Sequence, residues 1–238
     1  GLKSEHIPLI SEECVIREPT EDLARHVVEK LEKYMRDESE GFIFKCQLKD
    51  EPRELSKVAK GKTRVFYMMS VTDLIISRMF LAPIYSLMVE HGDLFGTAVG
   101  INMHTEADKL ARDMSSFSEK FMEGDYSNYD QTIPPDVAHM ASTIVYSIAE
   151  HFGYSPAALK ILQGVLSDNI YPVLNMLGDY FSKCGNQPSG KYATAEDNSL
   201  RGLILLVYAF NILCEGEKFF ECVRPLTYGD DLVAAIKP

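Results

Sequence analysis

Two carboxylates stand side by side near the end of the chain, in Tyr228-Gly229-Asp230-Asp231. The apolar, β-prone run Phe219-Phe220-Glu221-Cys222-Val223 precedes them and Leu232-Val233-Ala234-Ala235-Ile236 follows. That pattern predicts a strand, a tight turn and a strand with the acids at the tip. Adjacent acids repel one another unless something positive sits beside them, and a hard divalent cation such as magnesium prefers carboxylate oxygens. Alone the turn says little, because Gly and Asp are favoured in any hairpin. Upstream, Glu119 to Tyr126 reads as a short strand ending in Asp125. Asp130 follows across a turn toward a helix that begins near Pro134-Pro135, where proline suits the first turn. An acid at a strand end can meet an acid on a neighbouring hairpin, so Asp125 and Asp230 are expected to share metal. A calcium loop over Asp125, Ser127 and Tyr129 is excluded, since its sixth position is not Gly and its twelfth is Asp136 rather than Glu.

A third cluster runs from Cys184 to Leu200. A Gly/Pro/Ser loop containing Ser189, Gly190 and Lys191 leads into Thr194 and Asn198, then into the apolar run Leu203–Phe210. Thr194 and Asn198 are four apart, so on a helix they share one face. Small hydroxyl and amide groups there suit a sugar better than a phosphate.

Together these clusters resemble the viral RNA-dependent RNA polymerases, the picornavirus-like group most of all. Asp125 and Asp130 match the two acids of that family's motif A. Ser189, Gly190, Thr194 and Asn198 match motif B, and Gly229, Asp230 and Asp231 match motif C. The one basic stretch, Lys45 to Arg64, holds seven Lys or Arg against three acids. Its Lys49-Asp50-Glu51 and Lys57-Val58…Gly61-Lys62-Thr63-Arg64 pieces look like motif F. The Gly61-Lys62-Thr63 piece is not a P-loop, whose first Gly would fall at Ser56. Val99-Gly100-Ile101-Asn102 is similar to the segment that precedes motif A in this group.

The resemblance implies an α+β fold. It combines a right-hand polymerase palm, an antiparallel sheet with helices on one face, with part of a mixed fingers subdomain, and the thumb is absent. Residues 1–117 would be fingers and 118–238 palm, with a possible fingers insertion around 150–185. It implies template-directed transfer of ribonucleotides to an RNA 3′ end, with two magnesium ions for which manganese can substitute. Asp125 and Asp230 would bridge the ions. Asp231 would serve as an outer ligand or electrostatic helper, and the Tyr126 carbonyl would complete the site. Asp130 and Asn198, supported by Thr194, would read the ribose 2′-hydroxyl, and Ser189 and Gly190 would form a mobile loop against the template and nascent pair. Lys49, Lys62 and Arg64 would meet the triphosphate. The implied partners are RNA template and primer, ribonucleoside triphosphates and other viral replication proteins, at replication complexes in the host cytoplasm. A reverse transcriptase shares the paired acids, but Asp130 and Asn198 would welcome a 2′-hydroxyl. A non-catalytic RNA- and metal-binding piece is the alternative from another class.

The 238 residues allow one or two domains, with an ordinary soluble composition of 46% hydrophobic and 25% charged residues. The net charge of −11 conflicts with a positive RNA channel. Clustered acids that want metal, and a basic surface carried elsewhere in a longer protein, reconcile the two. The chain is expected to be a fragment, with motifs D and E and the thumb beyond it. Cysteines at 14, 46, 184, 214 and 222 have no zinc-ligand spacing and suit a reducing compartment. Val71–Val89 contains Asp73, Arg78 and Pro83, and Gly202–Cys214 is short, so both read as buried helices rather than membrane spans. Helices are expected over Glu21–Asp37, Asp136–His151 and Pro156–Leu166, with a hairpin joined at Gly178 and an irregular stretch over residues 1–20.

Overall fold

The structure, a computed structural model, describes residues 9–11, 16–182, 184–185 and 187–237. The chain divides into two units. One takes in Gly1–Leu81, Ala149–Lys183 and Gly190–Tyr192; the other Ala82–Ile148, Cys184–Ser189 and Ala193–Pro238. Residues 82–117 thus lie in the second unit and 149–183 in the first.

In the first unit, a short antiparallel pair, β1 (Leu9–Ser11) and β2 (Ile16–Arg17), stands where an irregular stretch was expected. Helix α1 (Glu21–Met35) starts where Thr20 Oγ1 accepts from the Leu23 amide and two acids occupy the first turn. It packs on α8 (Pro156–Ile170), which Ser155 caps and Pro156 opens. Four further residues of α8 than expected are helical, because Asp168, Asn169 and Ile170 are buried. At the crossing, Gly164 admits the Tyr34 ring: a Cβ there would stand 2.3 Å from Tyr34 Cδ1. Tyr34 donates to Asp168 at 2.5 Å, and Ser39 donates to the same carboxylate.

The unit's sheet has the order β4-β3-β6-β7. Strand β3 (Ile43–Leu48) buries Phe44 and Cys46 while Ile43 and Lys45 face outward, the period of two a half-buried strand requires. It pairs antiparallel with β4 (Val65–Met68) and parallel with β6 (Val173–Met176). Between β3 and β4 lies the short helix α2 (Leu55–Ala59). The hairpin of β6 and β7 (Asp179–Ser182) turns at Leu177 and Gly178, both at positive φ as a type I′ turn demands.

Helix α3 (Val71–Glu90) runs from the first unit into the second. Among the described residues it is the one helix long and apolar enough to cross a membrane, by length and composition alone. Its Asp73, Ile76, Ser77, Leu81 and Ile84 are buried, and Asp73 pairs with Lys30 at 2.6 Å.

The second unit holds α4 (Gly92–Phe95), α5 (Met103–Phe117), α6 (Tyr129–Thr132), α7 (Pro135–His151), α9 (Thr194–Leu213) and α10 (Phe219–Cys222). With them is an antiparallel sheet of β5 (Phe121–Gly124), β9 (Asp231–Ile236) and β8 (Val223–Tyr228), in the order β5-β9-β8. Pro225 is tolerated because β8 is an edge strand. Leu203, Leu206, Val207 and Phe210 of α9 pack on Phe219, Val223 and Ala234. Phe219–Cys222, expected as strand, is a helical turn. Strand alternation would send Phe219 and Glu221 to one face; the turn instead buries Phe219 edge-on to Phe210 at 5.3 Å and leaves Phe220 and Glu221 outside.

Candidate active site

Strand β5 ends where its last residue, Gly124, pairs with Leu232. Since Tyr228 pairs with Asp231 and closes the β8–β9 hairpin, the next residue, Asp125, continues toward the level of Asp231. Gly229 and Asp230 form the two-residue turn, with Gly229 at φ +64°. The turn is fixed from behind: the buried Gly229 amide donates to Ser199 Oγ on α9 at 2.9 Å. Asp125, Asp230 and Asp231 are all exposed. Asp125, Asp231 and Tyr228 border a cavity of about 970 Å³ that Ile101, Met103 and Leu110 also line. Among the described residues, no three His, Cys, Asp or Glu side chains converge closely enough to hold a metal ion by themselves.

The loop after β5 is held by two tyrosines. Tyr126 is half-buried and lies edge-on to Tyr129 with ring centroids 4.9 Å apart. Burial pushes the Tyr126 hydroxyl above its ordinary range. Burial first, then the neighbouring Tyr126, pushes Tyr129 up further, with Arg201 opposing. Such a phenol stays protonated and donates, and Tyr129 does so to the Asn198 carbonyl at 2.7 Å. Asp130, on α6, accepts from the Ser189 hydroxyl, and its carbonyl accepts from the Gln187 amide at 3.0 Å. The structure therefore brings Asp130 to Ser189, and the residue beside Asp130 to Asn198. Asn198 is 4% exposed, and its Oδ1 is buried with no hydrogen-bond partner among the described residues. Thr194 is the first residue of α9 and half-buried. Gly190, at φ +120°, approaches the backbone of Tyr67 so closely that a Cβ would meet its carbonyl oxygen at 2.1 Å.

In the first unit, the Lys45–Arg64 segment is closed by the Lys49 amide donating to the Arg64 carbonyl at 2.9 Å. Three of its seven cations gather on one carboxylate. Glu51 lies 2.8 Å from Arg53, 3.4 Å from Lys49 and 4.0 Å from Arg64. Burial pushes Glu51 up, but the Lys49, Arg53 and Arg64 charges outweigh it and hold the carboxyl below its ordinary range. Lys62 is exposed, and its amide donates to the Lys57 carbonyl at 3.0 Å.

Sequence reasoning gave no role in the site to Tyr129, Gln187, Asp197, Ser199 or Arg201. Arg201 is 1% exposed and pairs with Asp197 at 3.0 Å, while Gln187 Nε2 donates to the same carboxylate at 3.0 Å. The i, i+4 acid–base spacing of Asp197 and Arg201 was a readable helix signal. Nothing in the sequence announced that the pair is buried.

The sequence profile described as viral RNA-dependent RNA polymerase matches residues 11–238. The chain is 28% identical over 218 residues to the genome polyprotein of human parechovirus 2 (strain Williamson), covering 90% of this chain and 9% of that one. It is 29% identical over 197 residues to the genome polyprotein of human hepatitis A virus genotype IIIA (isolate NOR-21), covering 80% and 8%. In fold it is similar to the solved Sicinivirus 3Dpol RNA-dependent RNA polymerase, with a TM-score of 0.81 at 23% identity over 98% of this chain and 46% of that one. The chain thus spans a small part of the polyproteins and under half of the solved polymerase. With the profile matched from residue 11 through the Gly-Asp-Asp turn to residue 238, the chain belongs to the viral RNA-dependent RNA polymerase family.

Proposed function

We propose that this chain carries the nucleotidyl-transfer site of a picornavirus-like RNA polymerase, which adds ribonucleotides to an RNA 3′ end under template direction. One observation carries the reading. The β5–β9 register leads Asp125 toward the level of Asp231, beside a turn whose tip is Asp230.

The donor set fits magnesium: oxygens only, from three exposed carboxylates and a backbone carbonyl. Magnesium is commonly held by one or two carboxylates together with substrate phosphates rather than by an all-protein cage. A site whose acids do not converge without substrate is in keeping with that habit. Asp125 and Asp230 would hold two such ions, with Asp231 and the Tyr126 carbonyl in support, and manganese could take their place. When bound, the ions supply activation of the attacking 3′-hydroxyl and neutralisation of charge on the leaving pyrophosphate.

The remaining roles fall to the chain's own groups. Asn198 Oδ1 is an acceptor suited to a ribose 2′-hydroxyl, the group that separates RNA from DNA precursors. Asp130, held by Ser189, and Thr194 would frame it. Gly190 would let the backbone lie close to the nascent pair. Lys49, Lys62 and Arg64 would grip the triphosphate, Arg64 by a two-oxygen fork. Other viral replication proteins and a host-cytoplasmic replication complex are the expected setting.

The test is primer extension on an RNA template by the parent polymerase with magnesium, comparing ribonucleotides with deoxyribonucleotides. Ribonucleotide incorporation that vanishes in Asp125→Ala is the expected outcome. Undiminished synthesis by that variant would overturn the metal assignment, and a preference for deoxyribonucleotides would move the protein to the reverse transcriptases.

A further inference from the structure

We propose that Ser199 is a positioning residue for Asp230, and that α9 holds the acidic turn of β8–β9 and the loop after β5 from two consecutive residues. The inference rests on the metal-site role proposed for Asp230.

A two-residue hairpin turn leaves its own amides without strand partners, and at most hairpin tips water takes them up. Here the Gly229 amide is buried and donates to Ser199 Oγ at 2.9 Å, on a side chain 2% exposed. A buried amide stripped of its acceptor bears the cost of lost hydration, so the bond fixes the peptide immediately before Asp230. The preceding residue, Asn198, accepts from Tyr129 OH at 2.7 Å through its carbonyl. One turn further along α9, a Cβ on Gly202 would lie 3.6 Å from Tyr129 Oη and 4.0 Å from Thr227 Cγ2, so the helix backbone runs close to both segments. Residues 198, 199 and 202 share one helical face. The Asp197–Arg201 pair, on the buried N-terminal half of the same helix, fixes that face in register.

The consequence for chemistry is geometric. Asp230 is exposed, and its carboxylate takes its direction from the peptide at Gly229. Reaction rates fall by about a hundredfold when reacting groups are displaced by roughly 1 Å. A hydroxyl that touches neither substrate nor ion can therefore govern the step. Serine is suited to the task, because its short side chain reaches a neighbouring backbone amide from a packed helix.

Two measurements on Ser199→Ala and Ser199→Thr test this. Amide hydrogen exchange reads the tether directly. Gly229 is expected to exchange about tenfold faster in Ser199→Ala than in the native protein, with the β9 amides unchanged, and to recover in Ser199→Thr. In the parent polymerase, Ser199→Ala is expected to lower kcat about tenfold or more and to raise the magnesium concentration for half-maximal rate, with KM for ribonucleotide little changed. Unaltered Gly229 exchange, or native kcat and magnesium dependence in Ser199→Ala, would overturn the proposal. If the native polymerase made no RNA, the function reading would fall, while exchange at Gly229 would still decide whether Ser199 holds the turn.

Discussion

Removing the Asp197 carboxylate is the sharpest test of how α9 is held. Arg201 is 1% exposed, and its Nη2 lies 3.0 Å from Asp197 Oδ2. Its Nε and Nη1 are buried without hydrogen-bond partners among the described residues, so Asp197 is the one counter-charge in contact with it there. In Asp197→Ala the guanidinium stays buried and uncompensated, which costs about 3–5 kcal/mol. The lost bond from Gln187 adds about 1 kcal/mol. Against a typical total of about 5–15 kcal/mol this is a large share, and it corresponds to a fall in Tm of about 10–20 °C for a chain of this size. The double replacement Asp197→Leu with Arg201→Met removes both charges at similar volume and should recover most of the loss. Thermal and urea unfolding of the native chain and the two variants decide the matter. A single variant within about 1 kcal/mol of native, or a double variant no better than the single, would refute the argument.

Two further outcomes follow from the same kind of reasoning. Gly190→Ala and Gly178→Ala both place a side chain at positive φ, but only at Gly190 would the Cβ meet a backbone oxygen, at 2.1 Å. Urea midpoints should show Gly178→Ala costing about 1 kcal/mol and Gly190→Ala distinctly more; equal losses would mean the contact with Tyr67 relaxes freely. Burial raises the Asp168 carboxyl above its ordinary value despite Ser39, Tyr34 and Lys30, which lower it, and Asp73 adds to the rise. A folded pKa above the unfolded one gives stability that is complete below about pH 4 and is lost as pH climbs through the folded value. The stability of the native chain relative to Asp168→Asn should therefore decline from pH 4 to pH 7 in unfolding titrations, and a flat or rising difference would contradict the sign.

Local signals in the sequence carried a good part of this molecule. The helical spacing from Glu21 on carried α1, Pro156 marks the start of α8, and Gly178 marks the turn of β6–β7. The Gly-Asp-Asp turn and the strand leading to Asp125 were legible because each is a short-range pattern: turn chemistry in one case, an apolar run in the other. What escaped depends on distant partners. Phe219 helps form a helical turn because Phe210, on α9, offers it a packing site. The parallel pairing of β3 with β6 has no trace in either segment alone. The basic run between Lys45 and Arg64 reads as a row of free cations, yet Lys49, Arg53 and Arg64 gather on Glu51, an acid from the same run. Burial of Asp197 and Arg201 likewise belongs to the tertiary fold, since their spacing would serve equally on a solvated helix.

The strand pairings also have a meaning in the time order of protein synthesis. Ile43 finds its partner only when Val173 has been made, and Phe121 only when Ala235 has. Tyr34 waits 134 residues for Asp168. Because the chain passes back and forth between the two units, the first cannot close until residues 149–183 and 190–192 have been made, and the second needs its last strand. A nascent chain therefore emerges with Phe42, Phe44 and the strand that leads to Asp125 unpaired, and loops of this length close slowly. Release of the polypeptide short of β9 would leave Asp125, Asp130, Ser189 and Asn198 all present in the sequence and the β5-β9-β8 sheet unformed.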